Sequence, residues 1–343
     1  MTPCAPPPED EVTETATRAP DTAPHWRTAL TRAEIDDLLR LNNWRGGLSV
    51  LLNWGLVAAS FALVAVYPNL LTVLIALIVI GARQLGFAVL MHEAAHHTLF
   101  ANRRLNDVVG NWLCAFPIWT DTRPYRPYHL KHHAKNWTRE DPDLDLANKF
   151  PVNAASMRRK IWRDLSGQVG WKRARAVLRR DLRLGRKSRD ADHVSFGKTA
   201  SVSADGWRNL WGVAVTNAVL LGILTAFGHP ALYLLWVVAW FTTNSLVTRI
   251  RSICEHNMVD DPADEMSNSR TTLASWWERL LIAPNRVNYH LEHHLLMTVP
   301  FYNLPRLHQM LAERGVLTHA NVQHGYLRVL RQAASGRPIP STA

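Results

Sequence analysis

The chain has 343 residues, 47% of them hydrophobic, enough for a substantial core and too many for an intrinsically disordered protein. Its three cysteines, Cys4, Cys114 and Cys254, stand far apart and form no C-x-x-C pair, which excludes a disulfide framework and a thiolate metal site. A formal charge of +11 suits nucleic acid, an anionic membrane or the loops of a membrane protein, and its distribution decides among them.

Residues 1–28 begin "MTPCAPPPED", are rich in Pro and Thr, and lack the apolar stretch of a signal peptide, so they read as a disordered arm. "LTRAEIDDLLRL" follows as a short helix capped by Thr31 with Glu34 three residues on. Gly46 to Tyr67 contains no charged residue and is long enough to cross a hydrocarbon core of about 30 Å. Asn69 to Met91 is a second span, interrupted only by Arg83, which is expected to snorkel to the interface. Much later come Leu210 to Phe227 and Ala231 to Val247. The turns Pro68-Asn69 and Gly228-His229-Pro230 are so short that each pair forms a tight hairpin.

Neither turn carries Lys or Arg, whereas Arg40, Arg45, Arg103, Arg104, Arg249 and Arg251 flank the opposite helix ends. The positive-inside rule therefore places both termini, and the connection from His92 to about Trp207, in the cytoplasm. Within that connection, Met157 to Lys198 concentrates arginines among Ile161, Trp162, Leu165, Trp171 and Leu178 at helical intervals. This suits helices lying on an anionic membrane, and a place between two membrane hairpins argues against nucleic acid. His193, in a polar loop, reads as solvated, and Cys254 as a buried thiol. The expected fold is an all-α integral membrane protein: four transmembrane helices in two hairpins beneath a cytoplasmic helical cap. The membrane domain is expected over 29–311 and a tail over 312–343.

Histidines carry the chemistry. His92, His96 and His97 form H-x-x-x-H-H; His129, His132 and His133 form H-x-x-H-H; His290, His293 and His294 repeat that spacing of the middle box. With 16 histidines in 343 residues, one H-x-x-H-H should arise by chance roughly 0.03 times, so two are not coincidence. On a helix the positions i, i+3 and i+4 fall within an arc of about 100°, which aims three imidazoles at one side. His97 points away from His96 and can reach a second metal, orient a ligand, or serve structure alone. His256, just after the fourth span, is the best candidate for a tenth ligand.

Imidazole binds Zn, Fe, Cu or Ni, so the cluster implies a metal without naming it. A zinc ion takes four ligands, so nine or ten histidines imply two ions. "MHEAAHH" also contains the H-E-x-x-H of zinc proteases, in which Glu93 would be the base. That reading leaves both H-x-x-H-H boxes unexplained, and Glu93 is better read as orienting a ligand ring.

Three histidine boxes interleaved with two apolar hairpins resemble the membrane fatty acid desaturase and hydroxylase superfamily, from about Arg45 to about Leu311. "HEAAHH", "HLKHH" and "HLEHH" are similar to its three boxes, and "EDPDLD", a few residues past "HLKHH", is similar to family sequence too. The resemblance implies two non-haem iron ions held by His92, His96, His97, His129, His132, His133, His256, His290, His293 and His294. Glu93, Asp141 and Glu292 would be partners of those rings. It implies dioxygen as oxidant and an acyl-chain substrate: a fatty acid, acyl lipid or acyl-CoA. Trp112, Phe116, Trp119, Tyr125 and Tyr128 can line an apolar channel or simply pack. A fused cytochrome b5 would carry H-P-G-G, whereas His229-Pro230 continues with Ala231; the donor is expected to be a separate ferredoxin or cytochrome b5-type protein. Some desaturases carry Asn four residues before the isolated histidine, and here that position is Ser252. A hydroxylase or ketolase of a lipid or carotenoid uses the same scaffold, and a non-catalytic metal- or haem-handling membrane protein is the reading from another class.

Overall fold

The computed structural model describes residues 25–144, 149–182 and 206–336. Helix α1 (Trp26–Ala29) leads into α2 (Arg32–Leu38). The Thr31 side chain accepts from the Glu34 amide while Glu34 accepts from the Thr31 amide, the reciprocal cap that the sequence signals. Most of the expected arm, 1–24, lies outside the described residues, and its last residues enter α1.

Helix α3 (Asn43–Val66) and α4 (Leu70–Ala95) form the first hairpin. The Asn69 side chain accepts from the Thr72 amide, so the Pro68-Asn69 turn stops one helix and starts the next within three residues. Beyond α4 follow α5 (Arg103–Val109), one π-helical turn over Gly110–Ala115, and α6 (Thr122–Lys135), which carries the second box. The basic segment gives α7 (Ala154–Leu165) and α8 (Gln168–Asp181). The loop containing His193, like Asp145 of "EDPDLD", lies outside the described residues.

The second hairpin comprises α9 (Gly206–Ala226), α10 (Tyr233–Phe241) and α11 (Thr243–His256). Its last span is broken at Thr242 (φ −115°, ψ −87°). Length and composition make Arg32–Val66, Leu70–Ala95 and Pro230–His256 able to cross a membrane, while the apolar stretch Leu210–Ala226 is shorter. The α3, α10 and α11 helices all pack on α4. At the α4–α11 crossing a Cβ on Gly81 would stand 2.2 Å from Thr243 Oγ1 and 2.8 Å from the Asn244 nitrogen. The missing side chain lets the two backbones approach, and Thr243 Oγ1 donates to the Leu77 carbonyl at 2.6 Å.

Arg83 does not snorkel. It is buried in the bundle and donates to Asn53 Oδ1 and to the carbonyl of Leu280. Leu280 belongs to α12 (Trp276–Leu281), whose C-terminal end offers a carbonyl without a helical partner to the guanidinium.

The third box forms α13 (His290–Leu295), followed by α14 (Leu304–Glu313) and α15 (Tyr326–Ala333). A two-stranded parallel sheet pairs β1 (Thr271–Leu273) with β2 (Val322–His324). The stretch expected to be a tail from 312 thus contributes a strand and a helix to the body. Tyr326, Val329 and Ala333 are buried with Ile253 and Cys254, both on α11, in one core cluster. Apolar spacing within α15 carries that packing, and a short helix near a chain end gives little signal on its own. Cys254 is a buried free thiol, as expected, and so is Cys114.

Candidate metal centre

Four elements converge at one end of α4. Its last turn supplies His92 and, at the C-cap, His96. The α6 helix supplies His129, His132 and His133, α11 supplies His256, and α13 supplies His290, His293 and His294. The helical spacing turns each box toward its neighbours, and the packing of α6 and α11 on α4 closes the gap between them.

Two groups result. In the first, ring nitrogens of His92, His96, His129, His133 and His293 lie within 4.8 Å of one another; in the second, those of His132, His256 and His294 do. His290 adjoins the second, its Nε2 standing 2.7 Å from His256 Nε2 and 3.1 Å from His294 Nε2. The groups touch where the rings of His133 and His294 face at a centroid distance of 4.4 Å.

His97 joins neither group. Its backbone leaves the helix with φ 60°, and Nδ1 lies 3.4 Å from Asn106 Nδ2 and 3.8 Å from Asp107 Oδ1. The H-x-x-x-H-H spacing is consecutive in sequence, but α4 ends at the second histidine, so the third turns toward α5.

The nitrogen atoms themselves test the fit of a metal. His92 Nε2 and His96 Nε2 are buried without a hydrogen-bond partner, a state that costs about 1–3 kcal/mol per group when nothing satisfies it. Elsewhere Nε2 faces Nε2, at 3.0 Å for His133 and His129 and 3.1 Å for His293 and His133. Two such neutral rings share one proton at most, so cations are the partners that satisfy converging lone pairs. Burial, helped by neighbouring imidazoles, holds His129, His133, His290, His293 and His294 well below the ordinary histidine range. Burial thus favours the neutral ring, the form that binds metal.

His132 runs the other way. Burial disfavours its charge, but the hydrogen bond to Asp141 and the nearby charges of Asp143 and Glu255 outweigh that and raise its pKa. Asp141 Oδ1 lies 2.8 Å from His132 Nδ1. The same carboxylate accepts backbone amides from Trp137 at 2.9 Å and Asp143 at 2.8 Å.

Glu93 sits 3.5 Å from His92 Nδ1, while its hydrogen bonds come from Thr98 Oγ1 at 2.8 Å and the Phe301 amide at 3.0 Å. Glu292 touches no box histidine: its carboxylate takes Thr271 Oγ1 and His308 Nδ1. On α13 it points away from the side that carries His293, so it ties the third box to β1 and α14.

One acid escaped the sequence reading, and another lies inside "EDPDLD". Glu255 accepts from Arg251 Nε at 2.6 Å and stands 3.8 Å from His290 Nε2. Asp143 accepts from Tyr128 and lies 3.9 Å from His132 Nδ1. The place of Glu255 immediately before His256 was the available signal. Among the five aromatics, Tyr125 stacks on His129 at 5.1 Å, whereas Trp112 packs on Phe116 and Trp119 on Trp240.

A model of the fatty acid desaturase family matches residues 68–326, a range holding every box and His256. The chain belongs to that family. It is 26% identical over 279 residues to a dihydrorhizobitoxine desaturase of Bradyrhizobium elkanii, covering 78% of this chain and 75% of that relative. It is also 26% identical over 254 residues to chloroplastic omega-6 fatty acid desaturases of Brassica napus and Arabidopsis thaliana, in each case covering 68% of this chain and 52% of the plant protein. The chain therefore spans about half the length of the plant relatives. Family and apolar helices together make it a membrane oxidoreductase of the desaturase kind.

Proposed function

We propose that the protein is a membrane acyl-chain desaturase that holds two iron ions in its paired histidine groups. The observation carrying this reading is the convergence of nine histidines, from three boxes and His256, into two adjoining sets of ring nitrogens. One set contains five histidines; the other contains three with His290 beside it. When bound, the iron supplies the activation of dioxygen that removing hydrogen from an unactivated C–H bond requires.

The remaining work belongs to the chain. His92, His96, His129, His133 and His293 hold one ion, and His132, His256, His294 and His290 the other. Asp141 fixes the His132 ring through Nδ1 and leaves Nε2 for the metal. The stacked Tyr125 ring and the burial of His92, His96, His129 and His293 would limit water at the first group, as an oxidation at carbon demands. In the overall reaction dioxygen takes two hydrogens, with their two electrons, from adjacent carbons of the acyl chain, and two more electrons from a separate donor, a ferredoxin or cytochrome b5-type protein, together with two protons from solvent. It leaves as two waters, and the chain gains a double bond. The four apolar segments are read as four spans in two hairpins, with termini and histidines on the cytoplasmic side; arginine placement supports this.

His132→Ala and His293→Ala each remove a ligand from one group, and metal and activity are expected to fall together. Metal analysis of detergent-purified protein, paired with mass spectrometry of lipids from producing cells, checks both. About two irons per chain and acyl chains lighter by two hydrogens are the expected result. A gain of one oxygen would replace desaturation by hydroxylation, and full iron content in both variants would overturn the site.

A further inference from the structure

Helices α7 and α8 carry a surface that the histidine centre does not use. On α7 the exposed side chains are Arg158, Arg159, Arg163, Trp162 and Leu165; on α8 they are Lys172, Arg175, Arg179, Trp171 and Leu178. Positions 158, 162 and 165, like 171, 175 and 178, share a face at helical spacing. Trp162 is 67% exposed, Trp171 59%, Leu165 43% and Leu178 40%. Between Ala154 and Arg179 the single acid is Asp164, which is buried against Arg249.

The opposite faces are firmly seated, so this exposure is not loose packing. Met157, Ala174 and Val177 are buried. Arg173 lies 3.8 Å from the centroid of the Trp240 ring and donates to the Trp240 carbonyl at 2.7 Å. A Cβ on Gly170 would stand 2.4 Å from the Phe241 carbonyl oxygen, so α8 lies directly against the break in the last span.

We propose that the α7–α8 face is a binding surface for anionic phospholipid headgroups of the adjoining membrane leaflet. Six cations with no exposed acid between them match phosphate charge, and long Lys and Arg stems reach headgroups while their methylenes stay apolar. Two indoles and two leucines exposed on the same two helices match the boundary between headgroup and acyl chain. An acidic protein such as the electron donor would use the cations and leave those four apolar groups wet. The lipid uses both.

Native mass spectrometry of the full chain in mild detergent tests this, with phosphatidylglycerol and phosphatidylcholine as probes. The wild-type chain retains phosphatidylglycerol preferentially. Replacing all six cations (Arg158→Gln, Arg159→Gln, Arg163→Gln, Lys172→Gln, Arg175→Gln, Arg179→Gln) lowers that affinity by about tenfold or more at an unchanged melting temperature. A five-site Arg→Lys variant, which keeps the charge and stands in should the neutral one fail to fold, retains it. Trp162→Ser with Trp171→Ser lowers it several-fold. Equal phosphatidylglycerol retention by wild type and the neutral variant overturns the proposal. So does unchanged lipid retention alongside lost crosslinking to an acidic ferredoxin, which would make this a protein-docking face.

Discussion

Asp141 shows how much of the site rests on a single carboxylate. It holds two backbone amides and the His132 ring at once, so the loop after α6 and the ring orientation are set by the same group. Asp141→Asn keeps the size but weakens the acceptor, and a 10–100-fold loss of metal affinity or activity is expected, the range for partners of a ligand ring. His97→Ala, by contrast, should keep full metal content, since its ring faces Asn106 and Asp107. Metal titration of the two variants side by side separates a ring partner from a bystander. At this scale the sequence reading was uneven for a physical reason. Spacing locates a side chain on a helix face only while the helix lasts, and α4 stops between His96 and His97. Glu292 illustrates the complementary limit, because its partners, Thr271 and His308, come from other elements that no local pattern connects to it.

Among the elements, α4 is the frame on which the site is assembled, and its crossing with α11 sets how far His256 stands from the first box. Gly81 makes that crossing possible. Gly81→Val would push the Thr243 and Asn244 backbone away, costing roughly 1–3 kcal/mol as an overpacked contact does. Thermal unfolding in detergent should show the loss of stability, and metal titration should show the second histidine group weakened more than the first. The apolar helices, both hairpin turns and the Thr31 cap were legible because each rests on local chemistry: hydropathy, a turn too short for anything else, and a side chain reaching three residues. The break at Thr242 was not legible, since no Pro or Gly marks it; α8 packs against it from far along the chain.

For the molecule as a whole, the folded body runs on past the last histidine box. Tyr326, Val329 and Ala333 close the cluster that contains Ile253 and Cys254, one turn from His256. A chain ended after residue 311 would expose that cluster. It is expected to lose its single size-exclusion peak in detergent and its metal together, whereas a dispensable tail would leave both intact. Membrane class and the gathering of the histidine boxes could be read from the sequence because hydropathy and histidine spacing repeat. The closing helix is short, amphipathic and remote from the boxes, so its place depends on tertiary packing.

The order of the ligands along the chain also sets when the centre can come into being. One group needs His293 and the other His294, so neither is complete on a nascent chain that has yet to deliver the third box. During synthesis the first two boxes are in place while the second hairpin is still being made, and they offer at most a partial set of nitrogens. On the proposed two-ion reading, metal capture would be a late event in the life of the polypeptide, following rather than guiding the insertion of its helices.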